Sequence, residues 1–352
     1  WKRHCEKQEP EGPVDGWDWS QVGSVSHQAH GGGRKRTEWR VTFHRQTCAG
    51  GKERNTLAEN KALAGRKIGF FGKGGSGKST TVVLLAKALA DYAYQVCILD
   101  ADSTNVGLAQ ALEFDRSPIS LIHYFGGTVF SGGLVTCPVD DPTPLPGAEI
   151  LLEELPSKYH VQDHAGIILL TAGKIGDQGP GAGCDGPISK IARDLKCTGT
   201  ENCVTLVDFK AGFEDSARGV ITGLDWAIVI VDPTSASIQL AANMKQMVSQ
   251  MKAGRLPATA HLENPELIEM ANRIFREARI KGVVFVLSKI ADQEIESYLR
   301  EKLGEKGIEP IGAIHRDPSI SLSWLKGTPI DATKTKEDVD RIVVELEAAE
   351  ET

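Results

Sequence analysis

The chain has no isoleucine before Ile68, no leucine before Leu57 and no methionine before Met244. Its first sixty residues hold four of the six tryptophans (Trp1, Trp17, Trp19, Trp39), four of the nine histidines and the run Gly31-Gly32-Gly33. Valines there are isolated, and no helical or strand period is sustained. A segment with so little apolar surface to bury is expected to stay irregular. Residues 1–62 are therefore set apart as an extension, disordered or not native to the fold, and the late first methionine implies that the natural start is missing or misplaced.

Other absences exclude whole classes. No apolar run approaches the roughly 20 residues that a spanning helix needs, so no membrane partner is expected. No charged start leads into an apolar stretch, which excludes a recognisable signal peptide. The seven cysteines are odd in number and lack paired spacing, which suits a reducing, cytoplasmic setting better than a disulfide framework. A net charge of −7 gives no footprint for nucleic acid. No fixed-period repeat is visible.

From Arg66 onward, short β-rich runs alternate with helical stretches. Lys67–Phe71, Val96–Leu99, Ile167–Thr171, Val204–Val207, Ala227–Val231, Val283–Leu287 and Pro310–Ile314 read as buried strands. Amphipathic segments lie between them: Thr80–Ala90, Ile188–Leu195, Ser237–Met251, Glu266–Arg279 and Gln293–Leu303. Continuous apolar strands separated by helices imply one α/β domain over 66–350, a mostly parallel sheet with helices on both faces. Asp140–Gly147, with three prolines, reads as a loop within it.

The first strand runs into Gly72-Lys73-Gly74-Gly75-Ser76-Gly77-Lys78-Ser79-Thr80, and a helix follows at once. Strand, glycine-rich turn and helix start are the context of a phosphate-binding P-loop. The glycines let backbone N–H groups and the helix dipole face phosphates. Lys78 would reach the β- and γ-phosphates, the Ser79 hydroxyl would ligate Mg²⁺, and Thr80 would support the α-phosphate. Two further strands end in acids, Asp100-Ala101-Asp102 and Asp208, at the edge where open α/β sheets bind ligands. Asp208 and Asp100 are candidate Mg²⁺ groups and Asp102 a candidate for orienting attacking water, against the alternative that such aspartates only cap turns.

Lys73, a second lysine at the loop's start, resembles the variant Walker A loop of the ParA, MinD and nitrogenase-iron-protein class of ATPases. Residues 66–348 resemble more closely the CooC-type ATPases, accessory proteins of nickel insertion into carbon monoxide dehydrogenase. The carrying segments are the loop itself, Leu99–Asp102, Asp208–Gly219, Val231-Asp232-Pro233-Thr234-Ser235 and Ile311–Ile314 with Asp317-Pro318 and Gly327-Thr328-Pro329. The resemblance implies ATP and Mg²⁺ as ligands, a P-loop NTPase fold and a homodimer. It implies that Lys73 reaches the nucleotide held by the partner subunit, and that a carbon monoxide dehydrogenase-type metalloenzyme is the client. It also places Asp232, Pro233, Ser288 and Lys289 around the nucleotide.

Two departures bear on function. The family carries a Cys-x-Cys metal pair after a Gly-Lys-Ile segment. Here Gly173-Lys174-Ile175 is present, but the pair is reduced to Cys184-Asp185-Gly186. Two subunits would offer two thiolates to Ni²⁺ or Zn²⁺ instead of four, with Asp185 or water completing the shell. Cys184 is equally a small buried hydrophobe. The second departure is Ser288 before Lys289, where the family reads adenine with Asn-Lys. A ParA/MinD-like positioning ATPase and an iron-protein-like reductase remain as alternatives. The reductase would need a second cysteine soon after the Asp208 strand, where Asp215 and its neighbours stand instead. His160 and His164 share a helical spacing but no accompanying ligand signature.

Overall fold

A computed structural model describes residues 61–178, 184–199, 201–331 and 333–351. These fall within a compact unit, Leu57–Thr352; a separate unit, Trp1–Thr56, lies outside the described residues, as does nearly all of the expected extension.

Among the described residues ten strands form: β1 (Lys67–Gly72), β2 (Gln95–Ala101), β3 (Glu149–Leu151), β4 (His160–Gln162), β5 (Ile167–Thr171), β6 (Lys196–Thr198), β7 (Cys203–Phe209), β8 (Trp226–Val231), β9 (Gly282–Ile290) and β10 (Gly312–His315). Eight make one sheet in the order β10-β9-β8-β1-β7-β2-β5-β4, and β3 pairs with β6 apart from it. All pairings in the large sheet are parallel except that of edge strand β4 with β5. The seven strands expected from apolar runs are all in this sheet. The last begins two residues later than the pattern suggested, at Gly312. The five expected helices are present as Lys78–Asp91, Gly186–Asp194, Ser235–Lys252, Pro265–Arg276 and Gln293–Gly304.

Side-chain alternation sorts each strand between two cores. Ile68, Phe70, Val96 and Ile98 pack on the face covered by Lys78–Asp91 and the helix Lys336–Glu351. Phe71, Cys97, Leu99, Val207 and Phe209 pack on the other. Both faces are buried, so the strands read as unbroken apolar runs. Val339, Ile342, Val343 and Leu346 close the first core. Each such side chain contributes roughly 1.5–3 kcal/mol on burial, so the central strands are firmly held.

The strand starts are tied together at the edge away from the glycine-rich loop. Glu350 accepts hydrogen bonds from Arg66 Nε at 2.6 Å, Trp226 Nε1 at 2.7 Å and the Lys281 ammonium, joining the beginnings of β1, β8 and β9.

His160 lies in β4 and His164 in the turn after it, so their spacing is not realised on a helix.

Candidate functional site

β1 sits between β7 and β8, so residues 72–78 leave the sheet at its centre. At Gly72 an added Cβ would stand 2.7 Å from the Ile230 carbonyl oxygen, so only glycine allows this exit. Gly77 has φ 100° and is the N-cap of Lys78–Asp91, with no side chain capping the helix and no acid in its first turn. The bare N–H groups and the positive helix end are left for an anion. Lys78 folds back over the loop, donating to the Gly72 carbonyl at 3.3 Å and the Lys73 carbonyl at 3.4 Å. Burial lowers its pKa, while Asp208, Asp102 and Asp215 oppose that shift. The loop opens into a cleft of about 650 Å³ that also meets Asp102, Asn105, Asp232, Ser288, Lys289 and Trp324.

The acids gather by register. Asp100 of β2 pairs with Asp208 of β7, placing two carboxylates side by side. Asp208 is fully buried, and neither of its oxygens has a hydrogen-bond partner among the described residues. Burial pushes its pKa up to about 7, and Asp100 adds to that. The Ser79 hydroxyl, outside ordinary hydrogen-bond geometry, and Lys78 pull the other way. Burial likewise raises Asp100 to about 6, against the Lys174 ammonium 2.7 Å from its Oδ2. A buried carboxylate without a partner, beside a second acid and a serine hydroxyl, is an oxygen donor set that suits Mg²⁺.

Asp102 is turned into its own loop. Its Oδ1 accepts from the Thr104 N–H at 2.9 Å, the Thr104 hydroxyl at 2.7 Å and the Asn105 N–H at 3.3 Å. It is thus a turn cap here, the alternative that the sequence left open, although it lines the same cleft.

Lys73 does not stand free. Its ammonium is 3.1 Å from Asp232 Oδ2, at the end of β8. Asp232 also accepts from Thr234 Oγ1 at 2.8 Å and from Ser237 Oγ. Despite partial burial its pKa is lowered, by Ser237, Thr234 and Lys73. Across the cleft, Ser288 Oγ donates to the Ser76 carbonyl at 2.6 Å, and Lys289 Nζ donates to Gly75 O at 2.5 Å. The Ser288 proton is thereby committed to the loop, leaving its oxygen as an acceptor.

Three further residues, none of them expected at the cleft, contribute to it. Asn105 Nδ2 donates to Ser79 Oγ at 3.0 Å. Trp324, on the helix Pro318–Lys326, donates from Nε1 to Thr80 Oγ1 at 2.9 Å. Lys174 donates to Asp100 Oδ2 at 2.7 Å, Asp102 O at 2.7 Å and Asn105 O, pinning the β2 exit. Of these, only Lys174 had a sequence signal, its place in Gly173-Lys174-Ile175.

The segment after Asp208 couples to both neighbours. Gly212 N–H donates to Gly72 O at 2.9 Å, joining it to the loop's start. Lys210 Nζ is 2.7 Å from Asp185 Oδ2, joining it to the residue beside Cys184. Asp185 is therefore engaged by a lysine. Cys184 and Cys137 both adjoin Gly186. The Gly186 N–H donates to Cys184 Sγ at 3.4 Å, and a Cβ added at Gly186 would stand 2.8 Å from Cys137 Sγ. Burial raises the Cys137 thiol pKa, with Asp140 and Cys184 adding to the effect. Among the described residues no group of three or more His, Cys, Asp or Glu is placed to hold a metal ion, and no helix is long and apolar enough to cross a membrane.

Comparison with known proteins follows the same lines. A 186-residue stretch is 37% identical to an uncharacterised ATP-binding protein of Methanocaldococcus jannaschii, covering 51% of this chain and 72% of that one. Over 202 residues it is 31% identical to the carbon monoxide dehydrogenase accessory protein CooC of Rhodospirillum rubrum, covering 53% and 70%. The fold is like that of the septum site-determining protein MinD from Pyrococcus horikoshii in complex with Mg-ADP, with a TM-score of 0.50 at 16% identity over 80% of this chain and 95% of that one. A ParA family ATPase from Chlorobium tepidum gives 0.52 at 14% identity over 81% and 99%. Residues 70–330 match the family described as "CobQ/CobB/MinD/ParA nucleotide binding domain". With that match spanning the loop, both acidic strand ends and the Ser288 edge of the cleft, the chain belongs to the CobQ/CobB/MinD/ParA family of nucleotide-binding proteins.

Proposed function

We propose that this chain is a homodimeric, Mg²⁺-dependent ATPase serving metallocentre maturation, with a nickel enzyme of the carbon monoxide dehydrogenase type as client. The observation that carries the ATPase reading is the partnerless Asp208 carboxylate beside a bare helix start in one cleft. Ser79 and Asp208 would hold Mg²⁺, with Asp100 behind them, and the ion would neutralise charge on the transferring phosphoryl group. The N–H groups of Gly74, Gly75, Ser76 and Gly77, with Lys78 and Thr80, bind and orient the phosphates. Asp102, once released from its turn, orients the attacking water. Lys73, once released from Asp232, adds its charge at the partner subunit's nucleotide. Asp232, Pro233, Ser288 and Lys289 frame the nucleoside, with Ser288 Oγ accepting from an exocyclic amine.

The client reading rests on likeness to the CooC protein of Rhodospirillum rubrum. The Lys210–Asp185 pair supports it, because it links the segment after Asp208 to the chain beside Cys184. Nucleotide state can thus reach a pair of thiols, Cys184 and Cys137, two from each subunit, as ligands for Ni²⁺ or Zn²⁺. The other readings have less support. A membrane-positioning switch of the MinD kind needs a free amphipathic face, and Val339, Ile342, Val343 and Leu346 are buried here. A reductase of the iron-protein kind needs a cysteine near Asp215, which instead accepts from Ser189 Oγ at 2.8 Å.

The test is ATP hydrolysis together with size-exclusion chromatography and metal analysis on the full chain. Lys78→Ala should lower kcat/KM by about 10²-fold or more, the scale of a lost transition-state donor. Lys73→Ala should still bind nucleotide but lose hydrolysis and ATP-driven dimerisation. Wild-type turnover in Lys78→Ala would sink the site. ATP-driven dimers that bind neither metal, or whose metal survives Cys184→Ser, would reject the maturation reading and leave a metal-independent switch.

A further inference from the structure

A different pair of cysteines meets on the far side of β2. Cys97, in the middle of β2, is fully buried, and Cys197 is the central residue of β6 and half-buried. Their sulfurs lie 3.4 Å apart and share a hydrogen bond, although 100 residues separate them in sequence. Lys67, the first residue of β1, belongs to the same cluster. Its ammonium is buried and donates to the carbonyls of Arg193 at 3.1 Å and Leu195 at 2.7 Å, both just before β6. Among the described residues no carboxylate forms an ion pair with it. A buried ammonium hydrogen-bonded only to neutral oxygens favours anions nearby; Cys197 favours its charge most, followed by the carboxylates of Asp194 and Asp225. In turn the Cys97 S–H and Lys67 lower the Cys197 pKa, while Cys97 is pushed well up by that bond and by burial.

We propose that Cys97 and Cys197 are a redox-active dithiol, closing to a disulfide with Cys197 as the entry thiol for a low-molecular-weight disulfide. The Cys197 thiolate attacks one sulfur of the oxidant, forming a mixed disulfide and expelling one thiolate. Cys97 then gives up its proton and attacks the Cys197 sulfur, forming the Cys97–Cys197 bond and expelling the second thiolate. Two protein thiols are oxidised, the external disulfide is reduced to two thiols, and the two protons leave with them.

Geometry favours closure. The sulfurs need to approach by about 1.4 Å, from 3.4 Å to a bond of about 2.0 Å. β2 is fixed between β7 and β5, whereas β6 pairs with β3 in the separate two-stranded sheet, so the approach falls to β6. Closure would fasten the small sheet to the strand that presents Asp100 three residues after Cys97. In a reducing compartment such a bridge forms transiently, as a sensor of oxidant, not as a structural staple. The proposal is independent of the nucleotide reading.

The experiment equilibrates the full reduced chain with mixtures of reduced and oxidised glutathione, blocks remaining thiols in denaturant and maps the peptides. A Cys97–Cys197 peptide, growing with the proportion of oxidised glutathione, is the expected result. Cys197→Ser should leave Cys97 free, and Cys203→Ser should keep the bridge. Lys67→Met should slow oxidation about tenfold, because less Cys197 is thiolate. A wild-type chain in which Cys97 and Cys197 both remain alkylatable under fully oxidising mixtures overturns the proposal, as does a Cys97–Cys203 bridge in their place. The wild-type map decides even if a core substitution prevents folding.

Discussion

The Lys73 ammonium lies 3.1 Å from Asp232 Oδ2, so the lysine that the family resemblance directs to a partner's nucleotide is held here by an acid of its own chain. Asp232 accepts from Thr234 and Ser237 at the same carboxylate, so three groups hold it whereas the Lys73 ammonium is 35% exposed.

Breaking this tether should favour association. Lys73 is 35% exposed, and such a pair contributes up to about 1 kcal/mol, or roughly fivefold in an equilibrium. Asp232→Asn should therefore lower the ATP concentration at the dimerisation midpoint by about two- to fivefold in analytical ultracentrifugation. A midpoint that stays put or rises would show that the tether does not oppose dimerisation.

The paired carboxylates predict an inverse pH dependence of stability for the ligand-free chain. Asp208 and Asp100 have folded-state pKa values raised to about 7 and about 6, above the unfolded value near 3.9. The fold holds their protons more tightly than the unfolded chain does, so this stabilisation is complete below about pH 4. It is lost as pH climbs through 6 and 7. Tm without ligand should fall from pH 5 to pH 8, and Mg-ADP should restore it most at the high end. Asp208→Asn should raise Tm at pH 8 by about 3 °C, roughly 1 kcal/mol. A ligand-free Tm that climbs across this range would contradict the assignment.

Trp324 should report nucleotide directly. Its indole N–H is bonded to Thr80 Oγ1 at 2.9 Å, inside the cleft, whereas Trp226 is bonded to Glu350 at the opposite edge. Adding Mg-ADP should change the emission, and Trp324→Phe should remove most of that change while weakening binding by no more than about tenfold, one hydrogen bond's worth. An undiminished signal in the variant would place the response elsewhere.

Six of the seven expected strands were legible because they lie inside the sheet and read as largely continuous apolar runs, whereas edge strand β10, with only Ile314 buried, was placed two residues early. β3, β4 and β6 span three residues each, too few for any period to register. The loop and its flanking acids were legible because local backbone rules require glycine and a strand end. What the sequence could not supply was meetings between distant residues: Trp324 with Thr80, Lys73 with Asp232 and Cys97 with Cys197. Asp102 shows the reverse limit. Its position was expected at the cleft, but its carboxylate is occupied by Thr104 and Asn105, an outcome that residue type alone left open.

Glu350 gathers Arg66, Trp226 and Lys281, and with them the beginnings of β1, β8 and β9. The same β1 and β8 end, at their other tips, in the glycine loop and Asp232. The strands that grip a nucleotide are thus bolted at one end and loaded at the other, like the tines of a fork. A substitution at Glu350 therefore acts on the same strands that present the glycine loop and Asp232, from the end opposite the cleft.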